Sequence, residues 1–526
     1  MTDALLPRLL LLAAGAVWQA ARSRYYFHML QLNSYRNERY AAWLSKNPSQ
    51  RRLFAGLPVA AVTAVALTKG VTGMTTAALL LAAAAIYTVC AKKPEKKPFV
   101  ITDRVKRQFG AAAGLLLGAL LVVALVWRAD AYWGAGALLL LLALPVPLAL
   151  PPAANRLMAG RERRIADSFV QAAREKLLAQ RDFTVIGVTG SYGKTSVKYI
   201  LSELLCEQYN TLMTPESYNT TMGVVRTVNE KLRPQHQVFV CEMGARQVGD
   251  IKEICDIVQP TYGIITSVGI AHLETFRSTE NIRKTKFELA DSLPDTGLAF
   301  LNFDSAPIAS AGYSRPHVAY GLTPGLDCYS DNITVDERGT SFTLHCKGHE
   351  PLRLSTKLLG RHNVLNITGA AALALHLGVA PAGIAAALRR LKPVPHRLEL
   401  KINGGVIVID DAYNANPEGA AEAVRVLGSL KGRRRILVTP GMVELGENEY
   451  AANREFGAVA AAHCDDVIAV GRVRDALFEG LDLEGFPADR RHAVKNLKEA
   501  LALLPELLTG PSAILLENDL TDDMEG

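Results

Sequence analysis

The spacing of apolar positions changes character before and after residue 151. Upstream they fall in blocks almost free of charge: Leu5–Ala21, Leu53–Leu67, Met74–Cys90, Ala111–Trp127 and Trp133–Leu150. A bilayer core needs about 20 apolar residues per spanning helix, so these blocks predict about five membrane helices, or four with Leu5–Ala21 lying in the interface. Pro145, Pro147 and Pro151 should kink or end the last of them. Trp18-Gln19-Ala20-Ala21-Arg22 is a poor cleavage site, which favours a retained anchor over a signal peptide. Tyr25–Leu44 mixes aromatic, basic and apolar residues and reads as a helix on the membrane surface or as a solvated linker helix.

Downstream, helix-length segments alternate with short β-branched runs. Ala154–Asp182 predicts a helical linker. Strands are predicted at Phe183–Val188, Gln237–Glu242 and Gly263–Ser267, then at Gly405–Ile409, Arg435–Thr439, Asp466–Val470 and Ala513–Glu517. Strands separated by helices predict parallel sheets of the α/β class, the second of them Rossmann-like.

Charge sharpens the division. The chain carries +7 overall, of which the first 164 residues carry roughly +15 and the rest roughly −8. Lys and Arg collect in residues 22–52 and 91–109 and at Arg156, Arg161, Arg163 and Arg164. Five spans with the N-terminus outside would place all three blocks in the cytosol. A multi-pass plasma-membrane location with cytosolic catalytic domains follows as an expectation, with the membrane as a partner and no nucleic acid. The seven cysteines show no CxxC and no Cys/His cluster at zinc spacing, so neither a disulfide framework nor a zinc site is expected.

One motif carries chemistry by itself. The strand Phe183–Val188 runs into Thr189-Gly190-Ser191-Tyr192-Gly193-Lys194-Thr195-Ser196, and Val197–Glu207 has helical periodicity. Strand, glycine-bearing loop and helix form the context of a phosphate loop. Gly190 and Gly193 let backbone N–H groups of the Ser191–Ser196 stretch close on phosphate oxygens, Lys194 brings a charge to them, and the Thr195 hydroxyl can ligate Mg²⁺. Val188 stands where the stricter pattern has its first glycine. Glu242, ending a predicted strand, is placed as an acidic Mg²⁺ ligand should be.

TGSYGKTS resembles the phosphate loop of the Mur ligases, the ATP-dependent amide ligases that build peptidoglycan stem peptides. Over residues 183–480 further segments resemble that family in order: Ser217–Gly223, Val240–Ala245, Thr266–Glu274, Gly360–Asn366, Pro395–Glu399 and Asp410–Pro417. Val240–Ala245 and Asp410–Pro417 resemble the MurF branch, which adds D-alanyl-D-alanine. The resemblance implies Mur ligase architecture from the phosphate loop onward, a P-loop central ATPase domain at 183–396 and a C-terminal Rossmann-like domain at 397–526, while the apolar blocks put a transmembrane domain at 1–150 where the family has a uridine-nucleotide domain, with a linker at 151–182. It implies ATP and Mg²⁺ as cofactors, with activation of a carboxylate as an acyl-phosphate for attack by an amine. Lys194, Glu242, His272, Lys286 and Arg397 match its catalytic set; His272 would be a second-ion ligand and Lys286 the lysine that CO₂ carbamylates. Asn302 and Asn363 match adenine-side residues, Arg397 the residue reaching the γ-phosphate, and Asp411 a group orienting ribose or Arg397. Asn219, Thr220, Tyr413 and Asn414 fall in substrate-side stretches.

The end of the chain departs from the family. Leu515–Asp523 carries an acidic cluster where the MurF branch has KGSR and its cationic pair. The amine therefore stays open between D-alanyl-D-alanine and a cationic or uncharged amine, and the acid between a UDP-linked and a lipid-linked cell-wall precursor. Rival readings are a membrane ligase of the poly-γ-glutamate capsule type and a catalytically silent scaffold for other cell-wall enzymes.

Overall fold

A computed structural model of the chain describes residues 22–47, 99–129, 146–216, 218–269, 276, 278–393, 395–412, 417–443, 445 and 448–518. The chain divides into two compact units, Met1–Ser168 and Phe169–Gly526.

In the first unit, residues 22–32 are helical and a turn through Ser34 and Tyr35, both at positive φ, leads into α1 (Asn37–Lys46). Helix α2 (Asp103–Ala129) and the start of α3 (Val146–Leu178) complete what is described. Polar contacts tie these helices together. The Arg107 guanidinium donates to both Glu162 oxygens at 2.6 and 2.9 Å, and buried Gln108 donates to Asn155 Oδ1 at 2.8 Å. Asn155 in turn donates to Asn37 Oδ1 at 2.9 Å.

The expected α-helical transmembrane domain is corrected here. Among the described residues no helix is long and apolar enough to cross a membrane. Ala111–Trp127 lies inside α2, whose first turns carry Asp103, Arg104, Lys106 and Arg107; its apolar part is at the short end of what a core of about 30 Å demands. The multi-pass plasma-membrane location falls with it. The blocks Leu5–Ala21, Leu53–Leu67 and Met74–Cys90, and all but the end of Trp133–Leu150, lie outside the described residues.

The second unit holds two sheets. The first is built on β1 (Thr184–Thr189), β2 (Thr211–Met213), β3 (Val238–Glu242), β4 (Tyr262–Ile265), β5 (Leu298–Asn302) and β6 (His317–Gly321), all parallel. Antiparallel strands β7 (Cys328–Asp336), β8 (Gly339–Cys346) and β9 (Leu352–Thr356) extend it, giving the order β2-β3-β1-β4-β5-β6-β7-β8-β9. The central strands are short and almost wholly buried because helices cover both faces. α4 (Lys194–Leu205), α5 (Thr221–Lys231), α6 (Asp250–Val258), α7 (Thr279–Asp291) and α8 (Arg361–His376) supply that cover. Ile186, Val188, Val197, Ile200 and Leu201 anchor one core, and Phe239, Cys241, Ile254, Ile265 and Leu289 the other.

The second sheet comprises β10 (Glu399–Asn403), β11 (Val406–Asp411), β12 (Arg434–Thr439), β13 (Asp466–Val470), β14 (Arg491–Val494) and β15 (Ser512–Glu517). Its order, β10-β11-β15-β12-β13-β14, is parallel except at the edge strand β10. One cysteine expectation also changes. Cys328 and Cys346 oppose each other across β7 and β8, with Cα atoms 4.1 Å apart, and are joined as a disulfide.

Candidate active site

Strand β1 ends in the glycine loop because its successor must turn sharply. Gly190 has φ +150° and Gly193 φ +78°; a Cβ on Gly193 would lie 2.7 Å from Asn366 Oδ1. The loop is held from below by the end of β4. Tyr192 N donates to Ser267 Oγ at 2.9 Å, Ser191 N to Ser267 O at 2.8 Å, and Thr266 Oγ1 to Tyr192 O at 2.5 Å. Helix α4 then starts with its N-terminal amides facing the loop, the arrangement that attracts anions.

Lys194 folds back over this loop, its Nζ donating to Gly190 O at 2.7 Å and Ser191 O at 3.0 Å. Burial pushes its pKa down to about 8, helped by Arg397 and opposed by Glu242. On α7, Lys286 is buried and pushed down to about 7, first by burial and then by the charge of Lys194. Lys194, Lys286 and Arg397 thus bring positive charge to one region, a surplus suited to a polyphosphate.

Glu242, at the end of β3, is 1% exposed. Oε1 accepts from Thr195 Oγ1 at 3.1 Å and from Asn219 Nδ2 at 2.9 Å. Oε2 lies 3.0 Å from Lys198 Nζ, close enough for an ion pair although off the angle of a hydrogen bond. The hard oxygens of Thr195 and Glu242 fit a divalent cation. Among the described residues no group of three or more His, Cys, Asp or Glu could cage one alone, so such an ion would depend on phosphate and water oxygens, as Mg²⁺ commonly does.

Beside the loop a cavity of about 600 Å³ opens between the two sheets' domains. Gly193, Ser196, Asn302 and Asn363 line one side, Arg397 and Asp411 the other. Its size matches pockets for small organic ligands of about 300–1,000 Å³. Asn302 spends its amide holding the loop, donating to Thr266 O at 2.7 Å, and Asn363 Nδ2 donates to Leu359 O at 2.9 Å. Thr220 caps α5, its hydroxyl accepting from Gly223 N at 3.4 Å. His272, Tyr413 and Asn414 lie outside the described residues.

Three residues here escaped sequence reasoning as site residues. Lys198 sits one helical turn after Lys194, so the i,i+4 spacing would have placed it on the same face. His362 and Glu517 both line the cavity. Burial lowers His362, against the pull of Glu422 and Asp411, and its Nδ1 has no hydrogen-bond partner among the described residues. Glu517 is the register partner of Asp411. Burial, then the neighbouring Asp411, raises the Glu517 carboxyl well above the usual range; burial raises Asp411 too. Two carboxylates are both acceptors, Glu517 Oε2 has no donor among the described residues, and a proton shared between the pair would relieve their repulsion.

Known proteins match this arrangement. The Mur ligase middle domain matches residues 188–374, and the Mur ligase glutamate ligase domain matches residues 396–516. The UDP-N-acetylmuramoyl-tripeptide–D-alanyl-D-alanine ligase of Escherichia coli K12 is 33% identical over 329 residues, spanning 60% of this chain and 71% of that protein. The chain belongs to the Mur ligase family. The Bacillus subtilis ligase of the same name is 33% identical over 337 residues, 63% of this chain and 72% of that one. A crystal structure of MurF from Acinetobacter baumannii superposes with a TM-score of 0.61 at 29% identity, covering 68% of this chain and 78% of the other. MurF from Thermotoga maritima, solved in complex with ADP, gives 0.59 at 26% identity, covering 67% and 80%. This Mur ligase is accordingly an ATP-dependent acid–amino-acid ligase, forming a carbon–nitrogen bond.

Proposed function

We propose that this Mur ligase is of the MurF type, joining D-alanyl-D-alanine or a related amine to the carboxylate of a UDP-N-acetylmuramoyl-tripeptide. The observation that carries the reading is the Glu242 carboxylate bound to Thr195 and Asn219, which joins the nucleotide loop to the substrate-side stretch. Residues 183–396 form the ATP-binding domain and 397–526 the domain that closes on it.

Gly190, Ser191, Gly193 and Ser196 cradle the phosphates, while Lys194 gives up its loop carbonyls to reach the terminal phosphates. The substrate carboxylate oxygen attacks the γ-phosphorus, ADP leaves, and an acyl-phosphate forms. The amine nitrogen then attacks the acyl carbon and phosphate departs. Arg397, from the second domain, neutralises the transferring group without needing a proton of its own. Asn302 and Asn363 flank the adenine, and Asp411 orients ribose or Arg397. Mg²⁺, held by Thr195 and Glu242, would neutralise phosphate charge there. Lys286, enclosed and with its amine easily neutralised, is suited to take up CO₂ as a carbamate; His272 completes that second ion site. Asn219 and Thr220 stand on the acid side, Tyr413 and Asn414 on the amine side.

The acidic stretch that includes Glu517, where the MurF branch has KGSR, bears on the amine. Incubating purified protein with ATP, Mg²⁺, UDP-muramoyl-tripeptide and a panel of dipeptides and diamines, with ADP and product mass as readouts, tests the reading. Amide product with D-alanyl-D-alanine is expected; product with no member of the panel contradicts it.

A further inference from the structure

We propose that Lys198 is a positioning residue of the ligase, fixing the Glu242 carboxylate so that one oxygen, Oε1, is the one presented to the phosphate loop. It thereby favours a small ion of strict geometry over a larger one. The proposal rests on the reading of Thr195 and Glu242 as the ion site.

Lys198 is fully buried, and a buried lysine needs its charge met. Its Nζ lies 3.0 Å from Glu242 Oε2 and donates to Glu216 O at 2.5 Å. Glu216 has φ +41°, a left-handed conformation rare outside glycine, and its carbonyl is the one that meets the ammonium. One side chain on α4 therefore ties down the end of β3 and the segment that delivers Asn219. With Thr195 and Asn219 on Oε1 and Lys198 on Oε2, the carboxylate cannot rotate without losing a partner. Nor can it offer both oxygens to one ion while Oε2 is engaged. Mg²⁺ demands near-octahedral geometry with single oxygens, whereas Ca²⁺ accepts bidentate carboxylates. The lysine thus acts through Glu242, its other polar contact being the Glu216 carbonyl.

The test is calorimetric. The affinity of a non-hydrolysable ATP analogue is measured with Mg²⁺ and with Ca²⁺, for the parent, Lys198→Met, Glu242→Gln and the double variant. Lys198→Met is expected to lower the Mg²⁺-over-Ca²⁺ preference by about tenfold, since the freed carboxylate can chelate the larger ion. In the Glu242→Gln background the same substitution should leave the preference unchanged. Should Lys198→Met not fold, Lys198→Gln, which keeps a donor but loses charge and reach, carries the same expectation. A folded Lys198 variant with the parent's preference overturns the proposal, as does an equal shift in the Glu242→Gln background. A purely packing role would lower the melting temperature and leave the ion preference where it was. A parent that binds no nucleotide with either ion contradicts the ATP-site reading itself.

Discussion

The two ends of the cleft are built on opposite electrostatic plans. At the phosphate-loop end the polar groups hold partners, Lys194 in two loop carbonyls and Glu242 in Thr195, Asn219 and Lys198, and the charge left over is positive. At the inter-sheet end two carboxyl groups confront each other, Asp411 beside Glu517, with Glu517 Oε2 and His362 Nδ1 buried and without a hydrogen-bond partner among the described residues. The first end is already hydrogen-bonded within the protein. The second holds polar groups that find no hydrogen-bond partner among the described residues, and that contrast fits the proposal of a phosphate cradle facing a domain that closes.

Breaking the paired end should have the largest effect. Glu242→Ala leaves Lys198 charged and buried, an error of about 3–5 kcal/mol for a broken buried pair, and should abolish ligation. Urea unfolding followed by an ADP-release assay reads both. Gly193→Ala comes next. The new Cβ would meet Asn366 Oδ1 and sit at φ +78°, costing about 1–3 kcal/mol of backbone strain and raising the KM for ATP well before it changes the fold.

The smallest effect sharpens the other end. Glu517 has a raised folded-state pKa, so its contribution is intact below the ordinary value of 4.5 and is lost as pH rises toward the folded value. Glu517→Gln removes that loss. Its melting temperature should equal the parent's near pH 4 and exceed it by a few degrees at pH 8, about 1 kcal/mol in a domain of this size. A gap that shrinks as pH rises would contradict the shared-proton pair.

The same contrast explains what the sequence made legible. Strand, loop and helix around Lys194 are contiguous, so local pattern found them and they fold as predicted, β1 at Thr184–Thr189 followed by α4. Strands β3, β12, β13 and β15 were likewise visible as apolar runs between helices. The antiparallel extension β7–β9 was not. β7 alternates buried and exposed positions, carries Asp331 and Asn332, and shifts register there, so it lacks the unbroken apolar run of a central strand. Pairings across the sheet were equally hidden. Lys198 meets Glu242 only because β3 lies beside β1, and Asp411 meets Glu517 only because β15 inserts between β11 and β12. The apolar blocks before residue 151 led furthest astray: the described part of Ala111–Trp127 proved to belong to a helix whose first turns pack through Arg107, Gln108, Glu162 and Asn155.

The central claim is that the loop around Lys194 cradles a nucleotide. Titration calorimetry of ADP with Mg²⁺ into the purified chain and into Lys194→Ala tests it directly. Saturable binding by the parent, weakened about tenfold or more in the variant for loss of a charge-assisted contact, is the predicted result. Equal affinity in the two proteins, or no binding by the parent, would contradict it.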